Sequence, residues 1–340
     1  MHWCIFTALL SVLIRPVENV DSTPHLKLSR LWPLTLSTPE QLQFEGGTVI
    51  QNADGLHLFT ADITNGFNTS LVYYRALDAH STFGLVRHLF YSTFKSDGKD
   101  PRASLWAPMP SFDAVENRWH LFYVGYKSAP NNASGWYDNF DGRIYHAVSS
   151  AYGSEGLGGP YLDCDVVLSP GRESQPWEGL QGTDSISPPF RLPNGTLAAF
   201  YGSAHTEIPH NPNAWNNGLV TVEKLGAPFK RVLPSSLVNL NGGYSENPIV
   251  TYLPNHRLYI AIFDDLSNEA AGFGVTWSTD GVHWATSSQV HLPGGARTPL
   301  AAIPETDHSL TVYLTTPARK FEAASFSLEW RDESVSPLIV

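Results

Sequence analysis

The chain has 340 residues, 42% of them hydrophobic, which is ample for a large buried core. A formal charge of −11 without any Lys/Arg cluster argues against nucleic acid as a partner, because that affinity rests on phosphate neutralisation. The 10 Trp, 14 Tyr and 17 Phe, mixed with 27 Gly and 25 Pro, suit short strands punctuated by turns and leave little room for helices.

The first element is an apolar run from Cys4 to Ile14, ended by Arg15-Pro16. It is too short to span a bilayer and fits the core of a signal peptide, although only His2 stands where a basic segment is usual. Residues 1–20 are therefore expected to be a signal peptide and 21–340 a single domain of a secreted protein. Three acceptor sequons, at Asn68, Asn132 and Asn194, agree with export and glycosylation. No later segment is long and apolar enough to cross a membrane, so no membrane partner is expected, and the mature protein is expected to be a monomer. Removal of Cys4 leaves Cys164 alone, with no internal disulfide and no cysteine metal site.

From residue 45 onward one pattern repeats. A short polar or acidic motif leads into three or four apolar residues, then a turn, then a strongly apolar aromatic strand. It begins at Glu45, Trp106, Asp184, Glu246 and Arg297, at intervals of 61, 78, 62 and 51 residues. Asp54-Gly55, Asn194-Gly195 and Pro254-Asn255 mark turns between the two halves. Further strand-like runs start at Leu71, Ile144, Leu219 and Gly274. Blade-sized units of four strands predict an all-β fold, a five-bladed β-propeller with four-stranded antiparallel blades around a central axis.

In such a fold the innermost strands start at one end of the channel, so Glu45, Trp106, Asp184, Glu246 and Arg297 are expected to face one another. Three carboxyls held close raise at least one pKa, which is how one carboxylic acid stays protonated as a general acid beside an ionised base. Each residue also has a plainer reading: Glu45 as a cap on the Gly46-Gly47 bend, Asp184 as a turn former, Trp106 as core packing, Glu246 and Arg297 as a structural ion pair. The Asn247-Pro248 dipeptide is read as holding Glu246 extended. The segment Ser278-Thr279-Asp280-Gly281-Val282-His283-Trp284 is read as a structural hairpin like the Asp box of sialidases.

At these motifs the chain resembles the five-bladed propeller glycoside hydrolases, above all glycoside hydrolase family 43 and the related invertase and levansucrase families. Trp106-Ala107-Pro108 with Trp119-His120-Leu121-Phe122-Tyr123 looks like the second-blade motif, Asp184 ahead of Pro189-Phe190 like the third-blade aspartate, and Glu246 in Ser245-Glu246-Asn247-Pro248 like the fourth-blade acid. The resemblance implies a glycosidase acting on an oligo- or polysaccharide. Glu246 would protonate the glycosidic oxygen, Asp184 would tune it, and Glu45 would activate water or attack. Trp106 would floor the sugar and Arg297 would anchor hydroxyls. No cofactor is implied, although analogy with the family would allow a structural calcium ion at the channel centre; no ligand set for it is evident in the sequence. Two departures stand out: Glu45 occupies a position that is usually Asp, and Ser185-Ile186-Ser187 separates Asp184 from Pro188. They favour a second reading, a catalytically inactive glycan-binding propeller. A sialidase-like propeller ranks third, since the strand starts supply only Arg297.

Overall fold

Apolar residues alternate or run together over short stretches bounded by Gly, Pro and Asn, and the chain forms strands there. The computed structural model describes residues 22–38, 43–65, 68–129, 139–205, 207, 215–232, 245–266 and 268–332. The expected signal peptide and the sequon at Asn132 lie outside them.

The first strand, β1 (Ser22–Pro33), is set aside for the last blade. Blade 1 is the meander β2 (Phe44–Asn52), β3 (Gly55–Asn65), β4 (Asn68–Ala76) and β5 (Gly84–Tyr91). Blade 2 is β6 (Ser104–Asp113), β7 (Arg118–Ser128), β8 (Asn139–Tyr152) and β9 (Tyr161–Leu168). Blade 3 has β10 (Asp184–Ile186), β12 (Leu197–Ala204), β13 (Trp215–Val222) and β14 (Lys230–Arg231), with the short β11 (Phe190–Arg191) also paired to β12. Blade 4 is β15 (Ser245–Leu253), β16 (Leu258–Asp265), β17 (Gly272–Ser278) and β18 (Ser288–His291). Blade 5 is β19 (Thr298–Thr306), β20 (Ser309–Thr315) and β21 (Phe321–Asp332), and β1 completes it by pairing antiparallel along β21. The five sheets stand around one axis as a five-bladed propeller, and β1 covers an edge that would otherwise be an open template for association.

Each pair of neighbouring blades shares its own apolar core. Leu71 and Ala61 of blade 1 meet Leu105, Leu121 and Tyr123 of blade 2. Phe122, Val124 and Ile144 meet Ala199, Tyr201 and Val220 of blade 3. Leu192, Phe200 and Leu219 meet Val250 and Trp284 of blade 4. Ile260, Ile262 and Phe273 meet Leu310, Val312 and Phe326 of blade 5, which returns through Leu300 and Tyr313 to Leu58 and Val72 of blade 1. Fully burying one such Leu or Phe contributes about 1.5–3 kcal/mol, so the ring is fixed by interfaces all the way round, without a disulfide among the described residues. Cys164 is free and exposed.

Candidate active site

Every innermost strand loses register near its axial end. The shift falls between Glu45 and Gly47, Trp106 and Met109, Asp184 and Ile186, Glu246 and Ile249, and, just after Arg297, between Pro299 and Ala301. A bulge bends its strand and re-aims the side chain beside it. In three blades the following residue is left-handed: Gly46 at φ 66°, Ala107 at φ 49° and Asn247 at φ 50°. Glycine takes this conformation freely, Ala and Asn with strain. Glu246, read as held extended by Asn247-Pro248, lies in strand β15; Asn247, the residue that Pro248 directly restricts, is the one the bulge holds left-handed.

Arg297 is the hub. Its Nη2 pairs with Glu45 Oε1 at 2.8 Å, and its Nη1 reaches Glu246 Oε2 at 3.0 Å and Glu269 Oε1 at 3.3 Å and is bonded to Asp264. The other oxygen of Glu45 is ion-paired to Arg319. Asp264 belongs to this group because it sits directly opposite Glu246 in the β15–β16 ladder. Asp184 and Glu246 stand as neighbouring carboxyls, close enough that each bears on the other's titration. Asp184 Oδ1 also accepts from the Tyr126 hydroxyl and from the Ser185 amide at 2.7 Å, while its Oδ2 is buried without a hydrogen-bond partner. Gln181 Nε2 donates to the Tyr126 hydroxyl at 3.2 Å, Ser185 Oγ donates to Asn247 Oδ1 at 3.0 Å, and Asn217 Nδ2 donates to the Ser245 carbonyl at 2.8 Å. The Ser185–Asn247 bond ties the start of β10 to the start of β15, and Asn217 of β13 fixes the Ser245 carbonyl next to Glu246.

The charges do not balance. Glu45, Asp184, Glu246, Asp264 and Glu269 face two guanidinium groups, Arg297 and Arg319. Glu45, Asp184 and Glu246 are each less than one-tenth exposed and Asp264 is 1% exposed. Excess buried carboxylate is removed most cheaply by keeping protons. Burial accordingly pushes Glu246 well above the usual carboxylate range, against the pull of Arg297 and with the help of the Asp184 and Asp264 charges. Burial also raises Asp184, although the Tyr126 hydroxyl and the Ser185 amide oppose it. Asp264 goes well up by burial against Arg297, and Glu269 goes up for the same reason. Burial disfavours the Arg297 charge, yet Asp264, Glu246 and Glu269 outweigh it and raise its pKa. The arrangement therefore favours the protonated form of Glu246, beside the neighbouring carboxyl of Asp184 and an ion-paired carboxylate at Glu45.

Of the five residues read from the repeat, the structure gathers Glu45, Asp184, Glu246 and Arg297 at one end of the axis. Trp106 occupies the equivalent bulge, and Ala107 lies against Gly46, but its indole is half-buried against the blade 1–2 and blade 2–3 cores and donates from Nε1 to Ser104 Oγ at 2.6 Å. Arg297, expected to hold substrate hydroxyls, has its guanidinium taken up by carboxylates. Asp264, Glu269, Arg319 and Tyr126 were missed. Only Asp264 had a visible signal, two aspartates closing the otherwise apolar β16. Calcium takes six to eight oxygens; here a guanidinium stands among the carboxylates, so this donor set does not fit a resident calcium ion. The Ser278–Trp284 segment is a hairpin between β17 and β18, with Ser278 and Asp280 accepting backbone amides and Trp284 packed on Phe200.

No family model matches the sequence, and no curated protein matches it. In fold the chain is similar to a variant of the exo-β-1,3-galactanase of Phanerochaete chrysosporium bound to β-1,3-galactotriose, with a TM-score of 0.57 and 11% identity over 90% of this chain and 64% of that one. The chain thus spans under two thirds of that enzyme's length. It is also similar to the GH43_1 enzyme from Xanthomonas citri, with a TM-score of 0.56 and 10% identity over 87% of this chain and 90% of that one. A third solved structure, described as a glycoside hydrolase, gives a TM-score of 0.61 and 12% identity over 89% of this chain and 92% of that one. At identities this low the likeness is one of fold, and the resemblance read from the sequence motifs holds at that level: this chain is a five-bladed propeller of the kind found in glycoside hydrolase family 43.

Proposed function

We propose that this chain is a secreted glycoside hydrolase that cleaves an oligo- or polysaccharide at the axial carboxyl cluster. Glu246 is the general acid: burial and its carboxyl neighbours raise its pKa, which favours the protonated form that can protonate a glycosidic oxygen. Asp184 sets the strength of that acid through its neighbouring charge and is itself positioned by Tyr126 and the Ser185 amide. Glu45 activates water or attacks the sugar, Arg297 straps the carboxylates in place, and Trp106 borders the sugar site. The observation that carries the reading is Glu246 buried within an excess of carboxyls over guanidinium groups, the setting that raises its pKa. Such a group is unfavourable for folding and has a ready use in acid catalysis. The solved structures of similar fold that are described as glycoside hydrolases, one with galactotriose bound, support a glycan as the ligand. Export and glycosylation belong to the same reading; of the sequons, Asn194 lies in an exposed turn.

One observation favours the non-catalytic alternative. Both oxygens of Glu45 are engaged by guanidinium groups, and neither is free to take a proton from water in this arrangement. Sugar release and glycan binding by the wild-type protein separate the two. The enzyme reading expects reducing sugar to be released from at least one member of a panel of arabinose-, xylose- and galactose-containing glycans. Measurable affinity for a glycan without any release, from pH 4 to pH 9, would leave the binding propeller as the function.

A further inference from the structure

The far end of blade 2 carries a second cluster that the proposed glycosidase does not use. The β6–β7 hairpin turns between Asp113 and Arg118, which pair across it. Asp113 stands seven residues along β6 from Trp106, a rise of roughly 20 Å. There Asp113, Glu116 and His120 each present one ligand atom, all within 4.8 Å of one another.

His120 makes this more than a group of surface acids. Its side chain is 3% exposed, and its Nε2 is buried with no hydrogen-bond partner. That nitrogen points at Glu116 Oε2 from 3.5 Å, long for a hydrogen bond to a carboxylate, where 2.7–2.9 Å is usual. Two ligands of one tetrahedral zinc ion, with bonds near 2.0–2.2 Å, stand about 3.4 Å apart. The gap therefore matches an edge of a zinc polyhedron better than a direct contact. The other face of the ring is already fixed. His120 Nδ1 lies 2.9 Å from His146 Nε2, and a proton on Nδ1 donated to His146 leaves the Nε2 lone pair facing the carboxylates. Outer hydrogen bonds of this kind set the tautomer of metal-binding histidines. Asp113 Oδ1 is turned inward to the amides of Val115 at 2.7 Å and Glu116 at 3.1 Å, which holds the turn and leaves Oδ2 for a ligand. Arg118, whose charge bears on His120, has its guanidinium over the Tyr152 ring at 4.6 Å.

We propose that Asp113, Glu116 and His120 form a binding site for a zinc-class divalent cation that pins the β6–β7 turn, with His146 orienting His120. One imidazole and two carboxylates suit zinc and leave a position for water. A calcium site would be built from oxygens alone.

The test is calorimetric titration of zinc into the full chain after chelator treatment, with calcium as the comparison and thermal melting as a second readout. The proposal expects one equivalent of zinc per chain and a melting point raised by zinc but not by calcium. Glu116 is exposed, so Glu116→Gln should fold and, in chelator, melt with wild type. It should bind zinc at least tenfold more weakly and lose the zinc-induced shift. His146→Phe should weaken zinc by about 10–100-fold through loss of the orienting bond. Absence of stoichiometric zinc binding by wild type would overturn the site. So would Glu116→Gln and Asp113→Asn variants that bind zinc as wild type does, or a preference for calcium.

Discussion

Replacing Arg297 by Met removes the one guanidinium shared by Glu45, Glu246, Asp264 and Glu269 while roughly keeping volume. The arginine side chain is 11% exposed and Asp264 is fully buried, so the carboxylates left behind cannot be rescued by water. Breaking a buried ion pair from one side costs about 3–5 kcal/mol. An unfolding entropy of about 2.1 cal/mol/K per residue gives roughly 0.7 kcal/mol/K for 340 residues. The melting point of Arg297→Met should therefore fall by about 4–7 °C at pH 8. The loss must also depend on pH in a definite sense. Glu246, Asp264 and Glu269 have pKa values raised in the folded protein. A raised carboxyl contributes stability that is fully present below its unfolded pKa, near 4, and is lost as pH rises through the folded value. Arg297 is the group that restrains these shifts, so removing it raises the folded values further. The deficit of the variant should be small at pH 4, where the carboxyls are protonated without help, and full at pH 8. Calorimetric melts of both proteins at the two pH values measure it. An equal drop at pH 4 and pH 8, or a drop below about 1 °C at pH 8, would refute the idea that Arg297 neutralises the cluster.

The bulges and the acid pair make separate predictions. Gly47 sits at φ 115°, and a Cβ there would fall 1.9 Å from the Phe59 carbonyl oxygen, so Gly47→Ala should destabilise by at least about 3 kcal/mol in denaturant titration. Ala107→Gly, which relieves a left-handed alanine but removes a buried methyl, should change stability by less than about 1 kcal/mol in the same assay. The Asp184 charge is one of the causes that raise Glu246. Asp184→Asn should thus lower the Glu246 pKa and move the alkaline limb of the kcat/KM profile to lower pH, and a limb that stays or moves up would contradict the tuning role.

The propeller was legible because its signals are local and repeated. Each unit places an apolar inner strand beside an aromatic second strand, and the third strands β4, β8, β13 and β17 contain the runs at Leu71, Ile144, Leu219 and Gly274. The axial ends were legible for the same reason, since equivalent positions of a repeat share one end of the axis. What stayed hidden is contact between units. Asp264 reaches Glu246 through strand pairing and Arg297 through space; Arg319 and Glu269 arrive on turns that the repeat does not register. The left-handed backbone at Ala107 and Asn247 had no glycine to announce it, whereas Gly46-Gly47 did. The His120 cluster escaped notice because its residues straddle a hairpin, and only the fold turns Glu116 back toward a buried imidazole.

The central claim is that Glu246 is the catalytic acid, and its most direct measurement is the turnover of Glu246→Gln on two substrates of the same sugar, a natural glycan and an aryl glycoside with an activated leaving group. General acid catalysis typically contributes 10² to 10⁴-fold. The variant should lose turnover on the glycan by about that factor and far less on the aryl glycoside, whose leaving group needs little protonation. Equal losses on both substrates, or turnover of the glycan at the wild-type rate, would contradict it.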